Sequence, residues 1–211
     1  MTQERLLTEK NIAHNSEDEA KAGWHTAFAG MMFDVQHNDK GWERVVRAPG
    51  VRIILDDQNN SKILLTREFR HELDGYDYRL PGGKVFDSRA DYQAARAQHV
   101  DIIQAATTKA VHEVQEEAGY TIVDPQLIHT STLGATVKWD LYTFVATNFI
   151  KSDDGQQLED GEVIQTDLWF SYDEVREMAL KGDMREDRIA MVLLRYLYSN
   201  DFIDRNKGEV A

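Results

Sequence analysis

Apolar and polar positions along this chain change rhythm twice. From Trp24 to Leu80, short β-branched runs alternate with turn residues: "GWERVVRAPGVRIIL" is broken at Pro49 and Gly50, "DDQNN" carries turn chemistry, and "KILLTREF" resumes the apolar run. This spacing predicts successive strands with a hairpin near Asp56 to Asn60. "YDYRLPGGK" predicts a short strand running into a turn, because Pro81, Gly82 and Gly83 stop regular pairing. Ser88 to Ala118, rich in Ala and Gln, predicts a mainly helical stretch. Strand patterns return in "LIHTSTLG", "DLYTFVATNFI" and "EVIQTDLWF", the last two separated by the polar loop "KSDDGQQLEDG". Two helices close the chain, with capping boxes expected at Ser171 with Glu174 and at Asp183 with Glu186, and Gly182 ending the first. Ile189, Val192, Leu193 and Leu197 supply a stripe for packing on a sheet. There is no internal repeat and no low-complexity linker.

Composition narrows the partners. The chain has 211 residues, 42% of them hydrophobic, enough for one large domain or a domain with an appended element. Lys and Arg number 24 against 37 Asp and Glu, a formal net charge of -13, which argues against a non-specific grip on nucleic acid or anionic membrane. An anionic substrate then needs local arginines or metal ions. With no cysteine, disulfides, thiolate metal sites and cysteine nucleophiles are excluded. The polar start has no signal-peptide pattern, so a soluble cytoplasmic protein is expected, with residues 1–23 as a loosely docked arm.

The chemistry concentrates in "AVHEVQEEAG", Ala110 to Gly119. On a helix, Glu113, Glu116 and Glu117 stand at i, i+3 and i+4 and share a face, while Ile103, Ala110, Val114 and Ala118 fall on an adjacent face suited to a core. Gly119 supplies the residue that ends the helix. Three carboxylates crowd the end where the helix dipole disfavours them. A solvated acidic face costs little, since like charges one turn apart repel by about 0.2–0.5 kcal/mol. The functional reading is a hard-cation site, for which Mg²⁺ takes one or two carboxylates plus water and phosphate oxygens. The tight turn "LPGGK" offers backbone carbonyls to the same ion.

These two pieces together resemble the Nudix hydrolase superfamily, whose box runs glycine, five residues, glutamate, seven residues, then Arg-Glu-apolar-x-Glu-Glu-x-Gly-apolar. "HEVQEEAGY", His112 to Tyr120, matches the second half except that His112 replaces the arginine. Counting back puts Gln104 at the glutamate position, and Gly83 lies 15 residues farther upstream than the pattern has it. The extra residues are helix-compatible and predict an added or extended helix between the glycine turn and the metal-binding helix. "APGVRIIL", "LLTREFRHE" and "YRLPGGK", with "LEDGEVIQTDLWFSYDEV" and "DMREDRIAMVLLRYL" after the box, are similar to the branch that includes ADP-ribose pyrophosphatases.

The resemblance implies an α+β Nudix fold, a mixed sheet sandwiched between helices, with an N-terminal β-extension and the helical insertion. It implies residues 24–47 as a β-element at a homodimer contact, 48–205 as the hydrolase domain and 206–211 as a tail. Glu113 and Glu117 would be the main Mg²⁺ ligands (Mn²⁺ being the alternative), Glu116 a ligand or support, and the Gly82 carbonyl would complete the shell. Glu162 is the first choice of general base, with Glu159 and Asp160 behind it. Arg67 and Arg70 would hold the diphosphate, as guanidinium forks suit phosphate oxygens. The implied reaction is cleavage of a nucleoside diphosphate sugar such as ADP-ribose to AMP and ribose 5-phosphate. The rival reading, motivated by His112 and Gln104, is a module that binds a nucleotide sugar for regulation without cleaving it.

Other patterns carry less. His14, His25, His37, His71, His99 and His129 form no metal-ligand spacing. "PGGK" lacks the fuller phosphate-loop pattern. The tryptophans and "LYTF" aromatics are expected in the core, with Trp24 or Trp42 covering a nucleobase as the minority reading.

Overall fold

A computed structural model describes residues 22–208, with side chains through residue 199. The expected arm thus lies almost wholly outside the described residues, as do residues 209–211 of the expected tail. Two compact units emerge, one of residues 22–51, 83–109 and 130–142, the other of 52–82, 110–129 and 143–208. The strands of 24–47 therefore group with the inserted segment instead of standing alone.

In the first unit, β1 (Trp24–Ala29), β2 (Phe33–Asn38) and β3 (Glu43–Arg47) run antiparallel in turn, and β3 pairs in parallel with β9 (Val137–Ala146) at Val45 and Val46. That parallel pair makes the strand arrangement mixed. Alternation along β2 turns Asp34 and Gln36 inward to 0% exposure. Gln36 Oε1 accepts from Arg44 Nε at 2.9 Å, and Asp34 Oδ2 from Arg89 Nε at 3.0 Å.

Arg89 opens α1 (Arg89–Ala97), which is the helix predicted in the insertion. Ser88 caps it by accepting from the Asp91 N–H at 3.1 Å. The chain then turns through His99 at φ 56°, and Asp101 accepts from the N–H groups of Ile103 and Gln104 to start α2 (Ile102–Glu113). The predicted helical stretch is therefore two helices with separate caps.

The second unit holds most of β4 (Gly50–Asp57), with β5 (Lys62–Arg70), β6 (Gly75–Arg79), β7 (Tyr120–Ile122), β10 (Phe149–Lys151) and β11 (Ile164–Ser171); β8 (Gln126–Leu133) passes through both units. β4 and β5 form the predicted hairpin, whose turn is closed by Asn60 N–H on Asp57 Oδ1 at 3.2 Å. β6 and β11 each pair antiparallel with β5, and β7 pairs with β10. Ile53, Ile54, Leu55, Ile63, Leu64 and Leu65 are all at 0% exposure, each worth about 1.5–3 kcal/mol of burial.

α3 (Tyr172–Lys181) begins with the predicted box, Ser171 and Glu174 bonding reciprocally, and ends at Gly182 with φ 82°. α4 (Asp187–Gly208) buries the predicted stripe of Ile189, Val192, Leu193 and Leu197. Its start corrects the sequence reading. Asp183 does not cap it: the Asp183 N–H closes back on Met178 O, and the Ile189 and Ala190 N–H groups find Glu186 O. The Glu186 carboxylate is meanwhile taken by Arg79. Ile103, expected in the core, is 39% exposed near the start of α2, whereas Ala106 and Ala110 are fully buried.

The Asp34–Arg89 pair is at 0% exposure on both sides, so removing one partner strands a buried charge. Arg89→Ala is expected to cost about 3–5 kcal/mol in chemical denaturation. Replacing both residues, Asp34→Leu with Arg89→Met, should cost far less, and equal losses would show that the pair is not the source of the penalty.

Candidate functional site

The end of α2 departs from α-helical geometry. Val114–Ala118 form a π turn that runs on to Gly119 at φ 72°, whose N–H bonds Gln115 O and Val114 O. π turns widen the helix by one residue, so the faces predicted from α-helical spacing shift. Burial sorts the three glutamates: Glu113 and Glu117 are each 7% exposed, while Glu116 is half-buried. Ala110, Val114 and Ala118 carry the turn on the core as predicted.

Glu117 reaches the glycine turn, where Oε2 accepts from the Gly82 N–H at 2.7 Å. Gly82 sits at φ 144°, a conformation that side chains disfavour. Its carbonyl, expected in a metal shell, accepts from Arg52 Nη1 at 2.5 Å. The Ile53 N–H also ties β4 to this turn through Pro81 O at 3.0 Å.

A third carboxylate was not among the predicted residues. Glu68 on β5 is 8% exposed. Burial first, then the charges of Glu68 and Glu113, hold the Glu117 carboxyl well above its ordinary range, with the Gly82 N–H and Arg52 opposing. Period-two register explains how Glu68 arrives: Thr66, Glu68 and Arg70 share one face of β5 and lie opposite Arg79, Asp77 and Gly75 of β6. Arg70 Nη1 is 3.3 Å and Arg79 Nε 4.0 Å from Glu68 Oε2. Arg79 also binds Glu186, and Arg52 Nη2 lies 3.7 Å from the same oxygen. The available signal was a lone arginine in "VRIIL" and a glutamate in "LLTREF", charges inside apolar strand runs.

The structure separates the two predicted phosphate arginines. Arg70 is on the Glu68 face and 2.7 Å from Glu72, whereas Arg67 points the other way, with its guanidinium 4.1 Å from the Tyr76 ring centroid and 3.2 Å from Gln165 Oε1. Glu159, Asp160 and Glu162 are exposed, and Glu162 Oε2 accepts from the Glu159 N–H at 3.0 Å. The stretch leading into them is fixed to the π turn: Gln157 N–H donates to Glu116 O at 2.8 Å and Gln156 Nε2 to Glu117 O at 2.5 Å. His112 and Gln104 are both exposed. In the first unit, Trp24, Trp42 and Trp139 line a cavity of about 500 Å³; Arg44 covers the Trp24 ring at 3.8 Å, and Trp42 is 65% exposed.

Among the described residues no three His, Asp or Glu side chains close on one point. A hard cation does not require three, since Mg²⁺ takes one or two carboxylates and fills the rest of its octahedron with water and substrate oxygens. The buried all-oxygen pair Glu113 and Glu117 fits that mode.

No family model matches the chain, and no curated protein matches it. Among solved structures, the crystal structure of an ADP compounds hydrolase aligns over 84% of this chain and 92% of its own, with a TM-score of 0.57 at 16% identity. The chain has the Nudix fold. A MutT structure from work on Aliivibrio salmonicida and Vibrio cholerae aligns over 61% of this chain and 82% of its own at 19% identity, with a TM-score of 0.41, too loose a likeness to bear on the fold. Within the Nudix fold observed here, the N-terminal strands and the inserted α1 stand where the sequence placed them.

The raised Glu117 pKa has a consequence for stability. Below the ordinary glutamate value of 4.5, the folded and unfolded carboxyls are both protonated and the cost of burying a charge beside Glu68 and Glu113 is absent; stability falls as pH rises from there through the folded value. Glu117→Gln is therefore expected to match the parent Tm near pH 4.5 and exceed it at pH 8 in chelator, by about 2–4 °C for each kcal/mol of that cost removed. A parent protein as stable as the variant at pH 8 would contradict the buried charge.

Proposed function

We propose that this chain is a Mg²⁺-dependent pyrophosphohydrolase acting on the diphosphate of a nucleoside diphosphate sugar such as ADP-ribose, with AMP and ribose 5-phosphate as products. The observation that carries the reading is Glu117, a carboxylate only 7% exposed beside two others, in a fold shared with an ADP compounds hydrolase. A buried carboxylate with like charges around it is costly until a cation joins it.

Glu113 and Glu117 would hold the ion, with Glu116 beside them; the Gly82 carbonyl, which the resemblance gives to the same shell, is engaged by Arg52. Bound there, Mg²⁺ (Mn²⁺ being the alternative) would supply charge neutralisation for the diphosphate and a lowered pKa for water. Arg70, on the Glu68 face of β5, is the arginine we assign to the diphosphate; the placement of Arg67 against Tyr76 gives no support to that role for it. A loop carboxylate, Glu162 first with Glu159 and Asp160 behind it, accepts the proton of the attacking water. The anchoring of Gln156 and Gln157 at the Glu116 and Glu117 carbonyls supports drawing the base from this loop. Water adds to one phosphorus as the bridging P–O bond breaks, leaving two phosphomonoesters.

A cytoplasmic protein without nucleic-acid or membrane partners agrees with the charge of -13, and among the described residues no helix is long and apolar enough to cross a membrane. A homodimer through residues 24–47 is supported by Met31, Phe33 and Trp42, which are 73%, 43% and 65% exposed. Light scattering at micromolar concentration is expected to give twice the 24.2 kDa chain mass, and a monomer would overturn this assembly.

Phosphorus NMR of ADP-ribose and other nucleotide sugars with Mg²⁺ is expected to show metal-dependent release of two phosphomonoesters, abolished by chelator. Glu117→Gln should lower turnover by on the order of 100-fold or more, the scale of losing one transition-state group. Binding with every substrate left intact would instead select the regulatory module.

A further inference from the structure

The Nudix resemblance implies an arginine at position 112 that orients the glutamates, but the residue there is His112, and it is exposed. The second unit supplies a permanent cation from another direction. Arg52 is the one charged residue in the apolar run from Val51 to Leu55, and its side chain is 11% exposed. Nη1 donates to Gly82 O at 2.5 Å, and the N–H of the same glycine donates to Glu117 Oε2 at 2.7 Å. Glu186 anchors the guanidinium from behind: its Oε2 lies 3.7 Å from Arg52 Nη2 and also binds Arg79, three residues before Gly82. One relay therefore runs Glu186, Arg52, Gly82, Glu117.

We propose that Arg52 is the positioning residue of the carboxylate site, clamping the Gly82 turn so that its N–H meets Glu117, the work that the family pattern gives to position 112. The inference rests on the proposed metal-dependent reaction. Geometry gives it two reasons. The Gly82 N–H lies in the Pro81 peptide, which the Ile53 N–H holds through Pro81 O at 3.0 Å, while Gly82 at φ 144° leaves the following peptide free to turn unless its carbonyl is held, and Arg52 holds it. Guanidinium also presents planar paired donors, which lets one side chain hold the carbonyl while facing Glu186. Arg52 touches neither substrate nor reacting atoms in this role.

The test uses the full chain and three variants, Arg52→Met, Arg52→Lys and His112→Ala, with Mn²⁺ as the metal probe. Three readouts are taken: hydrogen exchange of the Gly82 amide in chelator, Mn²⁺ affinity by electron paramagnetic resonance, and kcat and KM for ADP-ribose across pH. Arg52→Met is expected to speed Gly82 exchange while amides of α3 keep their rates. It should weaken Mn²⁺ binding by about 10–100-fold, the usual cost of losing a group that supports a metal ligand, and lower kcat more than it raises KM. Arg52→Lys should recover part of each loss, because the charge remains and the fork does not. His112→Ala should stay within about twofold of the parent, well below the cost of losing a ligand-supporting group.

Unchanged Gly82 exchange in a folded Arg52→Met protein overturns the clamp. So does faster exchange with parental Mn²⁺ affinity and kcat, or an equal loss in His112→Ala. If Arg52→Met does not fold, the Lys variant gives the decision, a parental Gly82 exchange and Mn²⁺ affinity supporting nothing beyond charge and overturning the fork. A parent protein that neither binds Mn²⁺ nor turns over any nucleotide sugar defeats the reaction itself, and the positioning role with it.

Discussion

The burial of Glu117, beside the charges of Glu68 and Glu113, is the constraint on which the carboxylate site of the second unit depends. Burial strengthens every charge interaction by lowering the local dielectric, so like charges there cost more than on a surface helix. The helix end adds to the cost, since its carbonyls present negative potential. What balances these terms comes from outside the helix: the Gly82 N–H from the turn after β6, and Arg52 from β4. Displace the turn and Glu117 loses its hydrogen bond, while Arg52 loses the carbonyl that it holds.

Asp56 shows what a carboxylate looks like when the protein alone satisfies it. It is 0% exposed, and each of its oxygens accepts from a phenol at 2.6 Å, Tyr172 on one and Tyr196 on the other. Burial and Asp56 push the Tyr172 hydroxyl upward, so it stays a donor at neutral pH. Asp34 in the first unit pairs with Arg89 through Oδ2. Glu117 receives a single backbone N–H on one oxygen and faces two acidic neighbours. The same chain thus satisfies both oxygens of one buried carboxylate and keeps another in a state that favours an added cation.

What the sequence made legible was what short-range chemistry decides. The hairpin turn at Asp57, the capping box at Ser171 and the stop at Gly119 each depend on residues within a few positions of one another. The helix of the insertion was legible for the same reason, Ser88 and Asp91 being its cap. Three features were not. The π turn changes the pitch under Glu113 to Glu117, and no local pattern announces it. Glu68 enters the cluster by strand pairing, and Arg52 by the return of the chain to Gly82, 30 positions away. Asp183 and Glu186 had the right spacing for a cap, but Arg79 draws the Glu186 carboxylate away from that duty.

The two departures from the box to which the sequence is similar, His112 and Gln104, both fall at exposed positions. An exposed residue at 112 or 104 has water on hand and exerts only a screened influence on a buried carboxylate. Whatever residue stands there, the cation that matters must come from a side chain inside the low-dielectric region. Arg52 and Arg79 are 11% and 10% exposed and reach the turn and Glu68 from the sheet. On the proposed clamp, a histidine at 112 leaves the buried cations of the sheet in place.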